Sequence, residues 1–151
     1  MNKEALFSDG TSQYLVPSEP KEFEMVTIRF RTAKKDVDFV RIISGSRAFV
    51  MRKAYTEGDF DYYEVKWKMS DQRFEYCFEI NGRDEYGRGE VVYYNRLGVS
   101  DCVRQEYAFT IVPGFSTPDW AKGAVMYQIF VDRFFNGDKT NDVETGDYIY
   151  I

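Results

Sequence analysis

The sequence contains no histidine, and only two cysteines and four prolines, in 151 residues. The missing imidazole removes Ser–His and Cys–His nucleophile pairs and His-based zinc sites. Cys77 and Cys102 are too few for a disulfide framework, and neither has the nearby second cysteine of a zinc or redox motif. No apolar run approaches the ~20 residues of a membrane span. The opening MNKEALFSDGTSQYLV lacks the apolar core of a signal peptide. Basic charge is not in excess either: the formal net charge is −5, which makes nucleic acid a poor partner. These absences predict a cytoplasmic protein with two thiols, whose function rests on carboxylates, aromatics, amides and backbone.

What is abundant is apolar and aromatic. Hydrophobic residues make up 44% and aromatics 18% of the chain, ample for a core and unlike a disordered segment. Over the first ~115 residues, short alternating runs are separated by turn signals, the pattern of an all-β sandwich or barrel. Val26, Ile28 and Phe30 alternate with Thr27, Arg29 and Arg31. VDFVRII and AFVMRK follow. Tyr63, Val65 and Trp67 share a face opposite Glu64, Lys66 and Lys68, and Phe74, Tyr76, Phe78 and Ile80 one opposite Glu75, Cys77 and Glu79. This alternation places Cys77 on the less buried face. NGRDEYGRG reads as a hairpin loop, EVVYYN and YAFTIV as further strands.

The composition then changes. VPGFSTPDW is a linker signature. After it, AVMYQIFV at 124–131 is a nearly continuous apolar run, as in a strand buried on both faces of a parallel sheet. The boundaries read from the sequence are a sandwich over 1–115, a linker over 116–123, and a strand with its following loop over 124–151. That loop, NGDKTND, places Asn136, Asp138, Asn141 and Asp142 within seven residues. Calcium takes about six to eight oxygen ligands, and Asx residues at short spacing supply them. Composition alone favours a solvated Asx/Gly turn.

PDWAKGAVMYQIFVDRFFNGDKTND resembles the segment that opens the catalytic (β/α)8 barrel in the neopullulanase, cyclomaltodextrinase and maltogenic amylase group of the α-amylase superfamily. There the strand reads close to YQIFPDRF and NGDPSND follows; Val131 and Lys139-Thr140 depart from that pattern. Upstream, RFRTAKKDVDFVRI, FDYYEVKWK and RFEYCFEI resemble strands of the same enzymes' N-terminal module, carbohydrate-binding module family 34. The resemblance implies an immunoglobulin-like antiparallel β-sandwich followed by a truncated start of a (β/α)8 barrel. It implies structural calcium at Asn136, Asp138, Asn141 and Asp142, completed in the family by a Gly and an Asp that would lie beyond Ile151. It also implies that the chain is the N-terminal portion of a retaining α-glucan hydrolase, the catalytic carboxylates lying on later barrel strands.

Two roles follow from the resemblance. One is binding of α-glucans such as maltodextrins or cyclodextrins, whose apolar faces stack on aromatic rings. The other is a homodimer interface that packs against a barrel and narrows its substrate choice. Most aromatics in alternating strands belong to the core. The exposed candidates are Phe49, since the resemblance implies that an aromatic next to the Arg47 loop faces substrate, then Tyr14, Tyr55, Tyr62, Tyr86, and Tyr93 or Tyr94, whichever points outward. A stand-alone immunoglobulin-like interaction domain unrelated to glycans is the alternative.

Overall fold

Period-two alternation sets the long strands. In β2 (Met25–Ala33) Val26, Ile28, Phe30 and Thr32 are all fully buried, while the residues between them face outward. The computed structural model describes residues 1–130 together with Phe135, Gly137 and Thr140. The described residues form two antiparallel sheets with their apolar faces together, an all-β, immunoglobulin-like sandwich. Contacts divide the chain into two units, Met1–Ser116 and Thr117–Ile151.

In the first unit, the four-stranded sheet runs in the order β1 (Leu15–Val16), β2, β6 (Phe60–Lys68), β5 (Arg52–Glu57). The second sheet runs β4 (Arg47–Val50), β3 (Val37–Ser44), β7 (Phe74–Arg83), β8 (Gly89–Asn95), β9 (Gly98–Ser100), and β10 (Phe109–Ile111) pairs with the start of β7. Register places Phe30 opposite Tyr63 in the first sheet, and Ile42 and Tyr94 on either side of Phe78 in the second. Their side chains meet between the sheets: the Phe30 ring lies 4.5 Å from Phe78 and 5.3 Å, edge-on, from Tyr94. Removing so much aromatic surface from water is the main force closing the sandwich.

Three expectations need correction. AFVMRK is not one strand. Met51 is buried and donates its backbone N–H to Val40 O (2.8 Å), and the chain crosses there from β4 in one sheet to β5 in the other. A six-residue apolar-basic run carries no local sign of such a switch, because both halves are extended. Cys77 does leave β7 on the face opposite Phe78, yet it is 3% exposed. It lies on a central strand flanked by β3 and β8, where neighbouring side chains close over a small residue. Burial raises the pKa of its thiol, and the nearby Glu79 carboxylate adds to the shift.

The third correction is in the second unit. Pro118 O accepts from Ala121 N (2.9 Å) in a short 3₁₀ turn over Asp119–Ala121. Beyond it, 124–130 is not a strand: none of its backbone enters a ladder, and Val125, Met126 and Tyr127 are exposed. A strand exists only through hydrogen bonds to a neighbour, and no described segment pairs with this one. Among the described residues, no helix is long and apolar enough to cross a membrane.

Candidate functional site

Aromatic side chains cluster at the surface of the sandwich in two places, while Phe23, Phe39 and Tyr86 are exposed outside these clusters. The first is its open edge, around Phe49. Register sets Phe49 opposite Ile42, so its ring turns towards the other sheet rather than outward. It meets Trp67 edge-to-face at 4.7 Å, Trp67 stacks on Phe74 at 4.5 Å, and Phe74 continues to Tyr76 at 5.4 Å. Phe49, Trp67 and Phe74 are half-buried, while Tyr76 is deep in the core and its hydroxyl pKa is pushed far up by burial. The edge is thus a continuous aromatic spine with three partly wet rings. Beside it Val50 is exposed, and Gly45 at φ 57 forms the tight β3–β4 connection that carries Arg47.

The second place is the outer face of the four-stranded sheet. Tyr55 lies on Tyr62, the rings nearly parallel at 13° with centroids 4.6 Å apart. Tyr62 is 5% exposed and Tyr55 39%, so the pair shows solvent the Tyr55 ring. Arg29 bonds one oxygen of Glu64 through Nε (2.9 Å) and a terminal nitrogen (2.8 Å), and its guanidinium lies 5.7 Å from the Tyr55 ring centre. The other Glu64 oxygen faces Arg52 at 3.7 Å. Further along, Arg31 sits between the rings of Phe7 (5.1 Å) and Phe60 (4.3 Å), and Phe7 meets Tyr14 edge-on at 5.1 Å. Burial raises the phenol pKa of both Tyr14 and Tyr55 against the opposing pull of Arg31 and Arg29 respectively, keeping the hydroxyls neutral.

The structure therefore brings three sequence candidates, Tyr14, Tyr55 and Tyr62, to one sheet face, and leaves the others apart. Tyr14 and Tyr62 were expected to be exposed and are buried. Tyr14 is covered where the N-terminal segment pairs through Phe7 with Arg31, and Tyr62 by Tyr55. Tyr94 is a core residue and Tyr93 is the half-exposed one, since Tyr93 pairs with Glu79 on the outer face. Tyr86 is exposed on the β7–β8 turn, with Arg88 5.1 Å from its ring. Asn136, Asp138, Asn141 and Asp142 lie outside the described residues. Among the described residues, no group of three or more acidic or sulfur ligands is placed to hold a metal.

Sequence reasoning missed Trp67 and Phe74, which share the inward face of their strands yet stay half wet at the sandwich edge. It also missed Arg29 and Glu64. These lie opposite each other in the β2–β6 register, and their outward alternation was the signal available.

Comparison with known proteins gives a family. The profile described as "Alpha amylase, N-terminal ig-like domain" matches residues 1–112. Neopullulanase 2 of Thermoactinomyces vulgaris is 31% identical over 92% of the chain and 25% of its own length. The cyclomaltodextrinase of Geobacillus thermopakistaniensis is 30% identical over 91% of the chain and 25% of its own length. A solved cyclomaltodextrinase superposes with a TM-score of 0.59 at 25% identity, covering 95% of this chain and 26% of the other. The chain thus spans about a quarter of the length of these relatives.

Proposed function

Since the chain belongs to the α-amylase N-terminal immunoglobulin-like family, as the N-terminal domain of an α-amylase-family glycoside hydrolase, we propose that it serves there as a non-catalytic module that shapes substrate access and contacts α-glucan. The observation that carries this reading is the half-wet aromatic edge of Phe49, Trp67 and Phe74 beside the Arg47 turn. Pyranose rings have flat C–H faces that stack on such rings, and the same rings make good anchors for a protein partner. Val50, which leaves β4 on the side opposite Phe49, is exposed as well, so both sides of that edge strand carry apolar surface, which favours a partner subunit's barrel as one occupant in a homodimer.

The reacting carboxylates belong, in this reading, to a downstream barrel. The two most buried carboxylates of the sandwich are already committed: Asp61 to Lys53, and Glu79 to Arg41. Retaining hydrolysis needs a free carboxylate pair about 5–5.5 Å apart across a glycosidic bond. The substrates proposed for the whole enzyme are maltodextrins or cyclodextrins, in a cytoplasmic setting. Calcium at 136–142 is proposed on ligand spacing and the family resemblance.

Titration calorimetry with β-cyclodextrin and maltoheptaose, paired with light scattering, tests the reading. Saturable heat that drops in Phe49→Ala, or a dimer that the same substitution dissociates, is the expected outcome. A monomer that takes up neither sugar, unchanged by Phe49→Ala, overturns it.

A further inference from the structure

The strands at the sheet edges differ in how much backbone they leave open. β1 has two residues, β9 and β10 three each and β4 four, whereas β5 has six and pairs on one side only, with β6. An edge of that length is a template on which another chain can add a strand. An unbroken β5 would also fit itself. Two copies set antiparallel about an axis between Ala54 and Tyr55 would place Arg52 of one opposite Glu57 of the other, and Lys53 opposite Thr56.

The strand is not unbroken. Arg52 pairs with Glu64 and Lys53 with Tyr63, after which the register shifts and Tyr55 pairs with Tyr62. Ala54 is the extra residue of a β-bulge, which bends the strand and interrupts the regular run of N–H and C=O groups along it. One buried carboxylate holds the bulge from both sides. Asp61 is 1% exposed. It takes the Lys53 ammonium before the bulge at 2.7 Å and the Thr56 hydroxyl after it at 2.5 Å, and also accepts from the backbone N–H of Lys35 at 2.8 Å. Without the bulge Thr56 would leave β5 on the outer face, out of reach of Asp61. Lys53 points inward at the rim of the sandwich with its side chain 43% exposed, so a strand laid along β5 would take that ammonium out of water. A bulge and an inward-pointing charge are two ways in which natural sheets blunt an edge, and β5 carries both.

We propose that the Ala54 bulge, held by Asp61, Thr56 and Lys53, is a guard that keeps β5 from pairing with the β5 strand of a second copy. It thereby sets which edge of the sandwich stays open to a partner. The register of β4 with β3 runs unshifted from Val50 to Arg47, and Ala48, Phe49 and Val50 carry no charge. Of the two edges that meet at Met51, β5 is closed and β4 is left for the contacts proposed above for Phe49. The guard does not depend on what those contacts are, nor on glucan binding.

The test removes the guard in two ways. Deleting Ala54 restores an unbroken pairing with β6 while Lys53 and Thr56 still face Asp61, so the buried contacts are kept. Lys53→Thr removes the inward charge and leaves the bulge. Light scattering at about 100 μM protein reads molar mass, and hydrogen exchange reads the amides of 52–57. The deletion is expected to raise the molar mass about twofold over wild type, with slowed exchange over 52–57, and Lys53→Thr to raise it less. Adding Glu57→Lys to the deletion sets a second positive charge opposite Arg52 and is expected to return the wild-type molar mass. Folded variants that both keep the wild-type molar mass overturn the guard. Association in which the amides of 52–57 exchange as fast as in wild type places the contact elsewhere and overturns it as well.

Discussion

The two outer faces of the sandwich are built from the same kinds of residue and solve different problems. On the four-stranded sheet, Arg29 and Arg31 lie against Glu64, Phe7, Phe60 and Tyr55, and rings are stacked in the open. On the six-stranded sheet, Glu79 lies buried between Arg41 (2.7 Å) and the Asn81 amide (2.8 Å), with Cys77 beside it and no stacked pair of exposed rings among the described residues. The first face carries a stacked ring pair; the second buries a carboxylate and a thiol, and its rings, Phe39 and Tyr93, stand unstacked. The difference comes from strand position. Tyr55 stands on an edge strand, β5, where a bulge can be accommodated, whereas Cys77 and Glu79 stand on β7, paired on both sides.

Each sheet also carries one buried carboxylate, and their loss would not be equal. The largest effect is expected for Asp61→Ala, which strands three donors, the Lys35 N–H between β2 and β3 and the Lys53 and Thr56 side chains of β5. Breaking a buried pair costs about 3–5 kcal/mol, and the partial exposure of Lys53 places this case near the lower end, read as a fall in the denaturation midpoint at constant slope. Glu79→Gln is expected to cost about 1–2 kcal/mol, because an amide still accepts from Asn81 and Arg41 can turn to water. Equal losses in chemical denaturation would break the contrast between the faces.

Acid sharpens it further. The pKa of Asp61 is held below that of an ordinary aspartate. Burial alone would raise it, but the Lys35 N–H, the Lys53 ammonium and the Thr56 hydroxyl together outweigh that. A carboxyl whose folded pKa is depressed stabilises fully above the unfolded value and loses that contribution as pH falls through the folded one. Stability should therefore fall below about pH 4, and Asp61→Asn should flatten that fall in acid titrations followed by circular dichroism. A slope unchanged by the substitution would assign the acid sensitivity to other groups.

The smallest effect concerns the thiols. Cys77 is buried with a raised pKa and Cys102 is exposed. A thiol-reactive chromophore should label Cys102 alone in the native protein and both cysteines after unfolding. Rapid native labelling of Cys77 would show that the outer face of the six-stranded sheet opens.

Much of this was legible in the residues. The alternation in 25–33, 60–68 and 74–80 gives the strands, their buried faces and the all-β sandwich, because a strand with one wet face must repeat every second residue. The resemblance of the first ~115 residues to a glycoside-hydrolase N-terminal module was equally legible, and the family match over 1–112 agrees with it. Tertiary structure alone decided three things. It decided that Met51 changes sheets, since extended backbone reads the same on either side of a crossover. It decided that Tyr55 faces outward, since the bulge at Ala54 depends on Asp61, a residue on another strand. And it decided that Tyr14 and Tyr62 are covered while Tyr55 is open. Burial depends on what lies across the sheet, whereas local sequence specifies only which way a side chain leaves its own strand.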